Sequence, residues 1–299
     1  MPFLLLMIVA FFAVVLVAGN SLSACVGTAI GARILSQKSG ALLGFFGFTL
    51  GLLLQGPSML RSTQALLPSS NTTLSLVALS VTVLVFFIAD ALRVPVPLTM
   101  SLLSLLAGLS LRNHVGIDSF YITTVILMWV LAPIVSAVGA FCILKISNRT
   151  TSMNVWRKER IYKTLLLIFS VLTAYALGAN TLGFIVALEG FSALTLLIAV
   201  FGIFVGSVYF SAGEIRRIGQ EIFHLRYSNA FAALFTSLFL VECGTLFGIP
   251  LSSTQTLTFG VFGAGMSYRT KFLSLKPFLV ILLGWITVPL LSFVIALII

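Results

Sequence analysis

Residues 248–256 read GIPLSSTQT, in which Ser252, Ser253, Thr254, Gln255 and Thr256 follow closely on a proline within very apolar surroundings. A proline that precedes or opens a helix leaves the next backbone N–H groups without intrahelical partners, and in a low-dielectric setting such groups favour an anion. The hydroxyls and the amide complete the shell, so the stretch predicts the first turn of a half-helix that binds an oxyanion without lysine. Isolated Ser and Thr in apolar helices bond back to carbonyls and serve packing; that accounts poorly for five polar residues in succession. A weaker copy, RVPVPLTMS, occupies residues 93–101.

The surroundings decide the fold class. The 299-residue chain is 60% hydrophobic and only 8% charged, with a mean hydropathy of +1.19. A soluble domain carries about 25% charged residues, so the composition predicts an all-α, multi-pass integral membrane protein of a plasma or cytoplasmic membrane. The formal charge of +10 reflects Lys and Arg gathered in cytoplasmic loops and not a nucleic-acid partner. Cys25, Cys142 and Cys243 are far apart in apolar segments, which argues against a zinc site or a disulfide framework. Leu22–Cys25 looks like a lipoprotein processing box, yet no basic residue precedes Arg33, so membrane packing is the reading taken.

In chain order, apolar residues 3–18 predict a first spanning helix ending at Gly19-Asn20-Ser21, and residues 20–34 predict a break or a close helix contact. Segments at 40–60 and 73–92 follow, the second ending at an Asp90–Arg93 ion pair on one helix face. The piece from Pro95 to Leu111 is too short to span and predicts a re-entrant arm, and 120–144 carries Pro133 at an expected kink. After the basic link at 147–163 the plan recurs: segments near 164–178, 190–211, 227–248 and 278–299, with an interrupted one at 250–268.

The recurrence has a constant spacing. Gly183 follows Gly27 by 156 positions, Pro250 follows Pro95 by 155, Thr254 follows Thr99 by 155, and Trp285-x-x-x-Pro289 follows Trp129-x-x-x-Pro133 by 156. We therefore read two homologous repeats, 1–146 and 164–299, joined by the 147–163 loop and each holding a discontinuous or re-entrant helical hairpin. Repeats with short interrupted segments at corresponding places point to a secondary transporter whose site lies between the halves near the membrane midplane.

Over nearly its whole length the chain resembles the inorganic phosphate transporter (PiT) family of sodium- or proton-coupled phosphate permeases. GIPLSSTQTLTFGVFGAG at 248–265 is similar to that family's second signature, with VPVPLTMSLLSLLAG at 94–108 as the weaker copy. AGNSLSACVGT at 18–28 and AYALGANTLG at 174–183 match the first signature in part. The resemblance implies phosphate transport by alternating access between inverted repeats, no enzymatic activity and no cofactor beyond a transported sodium ion or proton; a homodimer is admitted. With the polar run, it gives a candidate substrate shell of Asn20, Ser21, Thr28, Thr99, Ser101, Asn180, Thr181, Ser252, Ser253, Thr254 and Gln255.

The departures bear on the cation. Ser21 stands where the family has an acid, Ala24 replaces an asparagine, and Ala176-Leu177 replaces an Asn-Asp pair, so both family aspartates are missing. Asn20, Asn180 and Glu242 are the remaining coupling-ion candidates, Glu242 because intramembrane ionisable residues are functional suspects. Glu189 aligns with Arg33 at the 156-residue spacing and reads as interfacial. An enzyme is disfavoured, because His114 and Asp118 are the nearest approach to a catalytic pair. A permease for sulfate or another oxyanion, and a transport-inactive receptor or scaffold, stay open. Inverted repeats need an odd number of crossings per half, whereas four long segments are legible in each; residues 20–34 or one hairpin arm must supply the fifth.

Overall fold

The computed structural model describes residues 2–31, 34–67, 71–91, 97–149, 155–211, 227–267 and 275–299. Arg33, Arg93, Pro95 and His224, together with the side chains of Thr28 and Asp90, lie outside the described residues, and so does the expected Asp90–Arg93 pair.

All elements among the described residues are helical. The first half comprises α1 (Pro2–Gly31), α2 (Gln37–Gln55), the short α3 (Leu60–Leu66), α4 (Thr72–Ala91), α5 (Leu98–Arg112) and α6 (Ser119–Arg149). The second comprises α7 (Val155–Leu177), the short α8 (Gly183–Ala187), α9 (Ala193–Val205), α10 (Tyr227–Leu246), α11 (Ser253–Met266) and α12 (Leu275–Ile298). Seven of the described stretches are long and apolar enough to cross a membrane, with 98–112 and 282–298 shorter. α5 and α11, of 15 and 14 residues, are the two half-helices.

The duplication shows in the details that start and pack the helices. Ser36 caps α2 by accepting from the Ser39 N–H at 3.1 Å, and Ser192, 156 positions on, caps α9 by accepting from the Thr195 N–H at 3.2 Å. The half-helices are exchanged between the halves: α5 packs on α12, and α11 packs on α6. Matching polar contacts pin both pairs. Ser101 Oγ and Ser292 Oγ are 2.7 Å apart, while Ser136 Oγ donates to the Thr256 carbonyl at 2.6 Å; Ser101 and Thr256 are counterparts, as are Ser136 and Ser292. Gly108 and Gly263 let the backbones approach, since a Cβ on the first would press on the Phe293 carbonyl and one on the second would overlap that of Ala137.

A second pair of exchanged contacts, α2 on α7 and α9 on α1, is not equivalent in register. Gly51 lies against the Tyr175 carbonyl, but its counterpart Gly206 lies against that of Val15 and not that of Gly19, the residue that corresponds to Tyr175. Gly47 against Val171 and Gly202 against Phe11 show the same displacement of one helical turn.

α1 corrects the expected helix end at Gly19-Asn20-Ser21, and of the break or close contact expected for residues 20–34 it shows the contact, with Leu22 against Gly44 and Ile30 against Gly40. It runs unbroken through Gly19-Asn20-Ser21 to Gly31, because the weakly polar side chains there bond back within the helix: Ser23 Oγ to the Asn20 carbonyl at 2.7 Å and Cys25 Sγ to that of Ser21 at 3.4 Å. The irregularity falls instead in the second copy, where Gly178–Leu182 forms a π-turn between α7 and α8.

Candidate functional site

The polar run begins as irregular backbone. Gly248 adopts a left-handed φ of 66°, and residues 249–252 then run outside any helix until α11 starts at Ser253. Non-helical backbone inside a membrane protein must find partners, and here side chains from three other helices supply them. Ser62 Oγ and the Tyr121 hydroxyl donate to the Gly248 carbonyl at 2.8 and 2.7 Å and contact one another. Trp129 Nε1 donates to the Pro250 carbonyl at 3.0 Å. Asn180, fully buried in the π-turn, donates from Nδ2 to the Ile249 carbonyl and to Thr245 Oγ1 and accepts from the Leu251 N–H at Oδ1, each at 3.0 Å.

So held, the segment presents its helix start to a cavity of about 30 Å³ lined by Val17, Asn20, Ser21, Phe86, Pro97, Leu98, Thr99, Thr181, Ser252, Ser253 and Thr254. Pro97–Thr99 and Ser252–Thr254 are counterparts, so the N-termini of both half-helices face one space. Ser252 caps α11 by accepting from the Gln255 N–H at 3.2 Å and contacts Thr254 Oγ1 at 2.9 Å. The side chains of Asn20, Thr99, Thr181 and Ser253 have no hydrogen-bond partner among the described residues and open on the cavity. No lining residue carries a charge. Two helix N-termini, each equivalent to roughly half a positive charge, and a ring of hydroxyls make a candidate anion site built from dipoles alone. The volume holds about two waters, so the space must widen to admit a tetrahedral oxyanion.

Seven residues of the sequence-derived shell therefore meet in one place: Asn20, Ser21, Thr99, Thr181, Ser252, Ser253 and Thr254. Others are engaged elsewhere. Ser101 is turned to Ser292, and Asn180 is consumed in holding the hairpin backbone. Gln255 lines a separate apolar cavity of about 740 Å³ behind the half-helices, beside Trp129, Phe259 and Trp285. Glu242 lies on α10, where Oε1 accepts from Gln55 Nε2 at 2.6 Å. Sequence reasoning missed Ser62, Tyr121 and Thr245 as supports of the hairpin; the Trp-x-x-x-Pro element, whose Trp129 carries the fourth, was the one signal available.

A third, polar cavity of about 280 Å³ contains Thr63, Gln64, Thr72, Ser75 and Glu189. Glu189 lies between α8 and α9, outside the spanning segments, and burial pushes its carboxyl up to about 8.

Comparison with known proteins gives the family and the fold. A family model described as "Phosphate transporter family" matches the chain twice, over residues 17–174 and 148–296. A relative from Methanocaldococcus jannaschii, described as "Putative phosphate permease", is 23% identical over 293 residues, which is 98% of this chain and 95% of the relative. A solved structure described as "The sodium-dependent phosphate transporter" shares the fold with a TM-score of 0.88 at 16% identity, covering 99% of this chain and 97% of the other.

Proposed function

The chain belongs to the phosphate transporter family, and we propose that it is a permease that carries inorganic phosphate across the membrane by cation-coupled alternating access of two inverted repeats. It is a multi-pass membrane protein and not an enzyme. The observation that carries the reading is the convergence of unpaired donors from both half-helix N-termini on one uncharged cavity. Helix N-termini and hydroxyls would supply the anion's partners without the strong charge of a lysine, which favours release as well as binding. The one-turn difference between the α2–α7 and α9–α1 contacts supports alternating access, because sliding one helix by a turn past another is a recognised way for packed elements to hold two discrete arrangements. The structural relative is described as sodium-dependent, and the loss of both family aspartates from positions 21 and 177 leaves a different cation, or a transport-inactive binding protein, as the second reading.

Radiolabelled phosphate uptake into proteoliposomes tests this. The purified chain is expected to accumulate phosphate under an imposed sodium or proton gradient, with excess sulfate competing weakly. Absence of uptake and exchange under every gradient, with phosphate binding retained, would instead establish the receptor reading.

A further inference from the structure

Glu242 is a carboxylate within a spanning helix that the anion site does not use. Its Oε1 accepts from Gln55 Nε2 at 2.6 Å, whereas its Oε2 is buried and has no hydrogen-bond partner. A buried carboxylate oxygen left unpaired is costly, and it is more so in the last turn of a helix, where the macrodipole is negative; Glu242 lies four residues before α10 ends at Leu246.

Among the described residues no salt bridge gives Glu242 a counter-charge. Tyr175 from α7 is within electrostatic reach, Tyr121 from α6 is committed to Ser62 and the Gly248 carbonyl, Arg61 from α3 stands beside Gly248, and α11 and the π-turn contribute no titratable group. Among the described residues the ion pair is Lys163–Glu159, far along the chain, and none includes Glu242. Gln55 turns an N–H toward the carboxylate where a bound cation would need an oxygen. One carboxylate oxygen held by a neutral donor, with the other empty, fits a single proton.

The site is also connected to the anion cavity. Thr245, one turn on from Glu242, accepts from Asn180, and Asn180 fixes the backbone of residues 249 and 251 just before the Ser252 cap. We infer that Glu242, oriented by Gln55, is the proton acceptor that couples transport, in place of the missing aspartates. Protonation forms an O–H bond at Oε2 and neutralises the carboxylate at the end of α10; release on the other side restores it. The inference rests on the permease reading.

The test uses the full chain in proteoliposomes and measures labelled-phosphate counterflow, which needs no driving ion, beside uptake driven by an inward proton gradient. Glu242→Gln is expected to lose gradient-driven accumulation and the accompanying internal acidification by about tenfold or more, a larger loss than that of its counterflow. Gln55→Leu keeps the carboxyl but removes the donor that orients it, so proton-driven accumulation should fall about tenfold. Retention of proton-driven accumulation by Glu242→Gln overturns the inference, and so does wild-type accumulation that responds to sodium alone. If Glu242→Gln does not fold, wild-type proton-driven accumulation by Gln55→Leu overturns it. Wild-type protein without counterflow would instead remove the permease reading itself.

Discussion

Replacing Asn180 with alanine removes three hydrogen bonds, to Thr245 Oγ1, the Ile249 carbonyl and the Leu251 N–H, from a fully buried position. Two of the abandoned partners are backbone groups, which cost about 1–3 kcal/mol each when orphaned in a protein interior. Interhelical polar contacts in membranes average nearer 0.6 kcal/mol because the reference state finds other partners. Those limits bracket the loss at roughly 2–7 kcal/mol. Half or more of it falls on residues 249–251, which place the Ser252 cap, so the hairpin tip loosens. Asn180→Asp should do no better: it keeps an acceptor for the Leu251 N–H but sets a carboxylate oxygen against the Ile249 carbonyl. Thermal unfolding in detergent, followed by tryptophan fluorescence, is expected to show a midpoint lower by about 5 °C or more. The KM for phosphate uptake should rise about tenfold, the equivalent of 1.4 kcal/mol lost from the positioned donors. An Asn180→Ala protein with the wild-type midpoint and KM would refute the reasoning that the hairpin is positioned by this side chain.

Further outcomes follow from individual contacts. Ser253→Ala combined with Thr254→Ala should cut phosphate uptake about tenfold or more with little change in melting, whereas Gln255→Leu, facing the apolar cavity, should leave KM within about twofold. Gly263→Val forces a side chain onto the Ala137 carbonyl and should destabilise the α6–α11 contact by about 1–3 kcal/mol or prevent folding, while Gly116→Ala, with open space around it, should melt as wild type. Glu189 holds its proton to about 8 in the folded chain against an ordinary value of 4.5, so between those values the folded state binds more protons and stability falls as pH rises. Glu189→Gln should flatten that decline in melting curves taken from pH 5 to pH 9.

The class, the duplication and the two half-helices were legible because each leaves a mark in local sequence: apolar run length, the 155–156 spacing, and proline before a polar cluster. The site was legible in composition but not in direction. A helix turns about 100° per residue, so SSTQT cannot present every side chain to one cavity, and the register that turns Gln255 away depends on Ser252 being the cap and not Pro250 the opener. Ser62, Tyr121 and Asn180 converge on Gly248–Leu251 from positions up to 186 residues away in sequence, and no local pattern records that meeting. The continuity of α1 is hidden for a related reason: Gly19-Asn20-Ser21 resembles a helix end until the back-bonding of Ser23 and Cys25 and the packing of Gly19 on Phe210 are known.

The central claim is that phosphate sits between the two half-helix N-termini, and arsenate, a tetrahedral oxyanion with a usable X-ray absorption edge, locates that position directly. An anomalous difference map from crystals grown with arsenate should show its strongest peak within hydrogen-bond distance of residues 98–99 and 253–254, beside Asn20 and Thr181. A strongest peak in the polar cavity beside Glu189, with the space between the half-helices empty, would contradict the account.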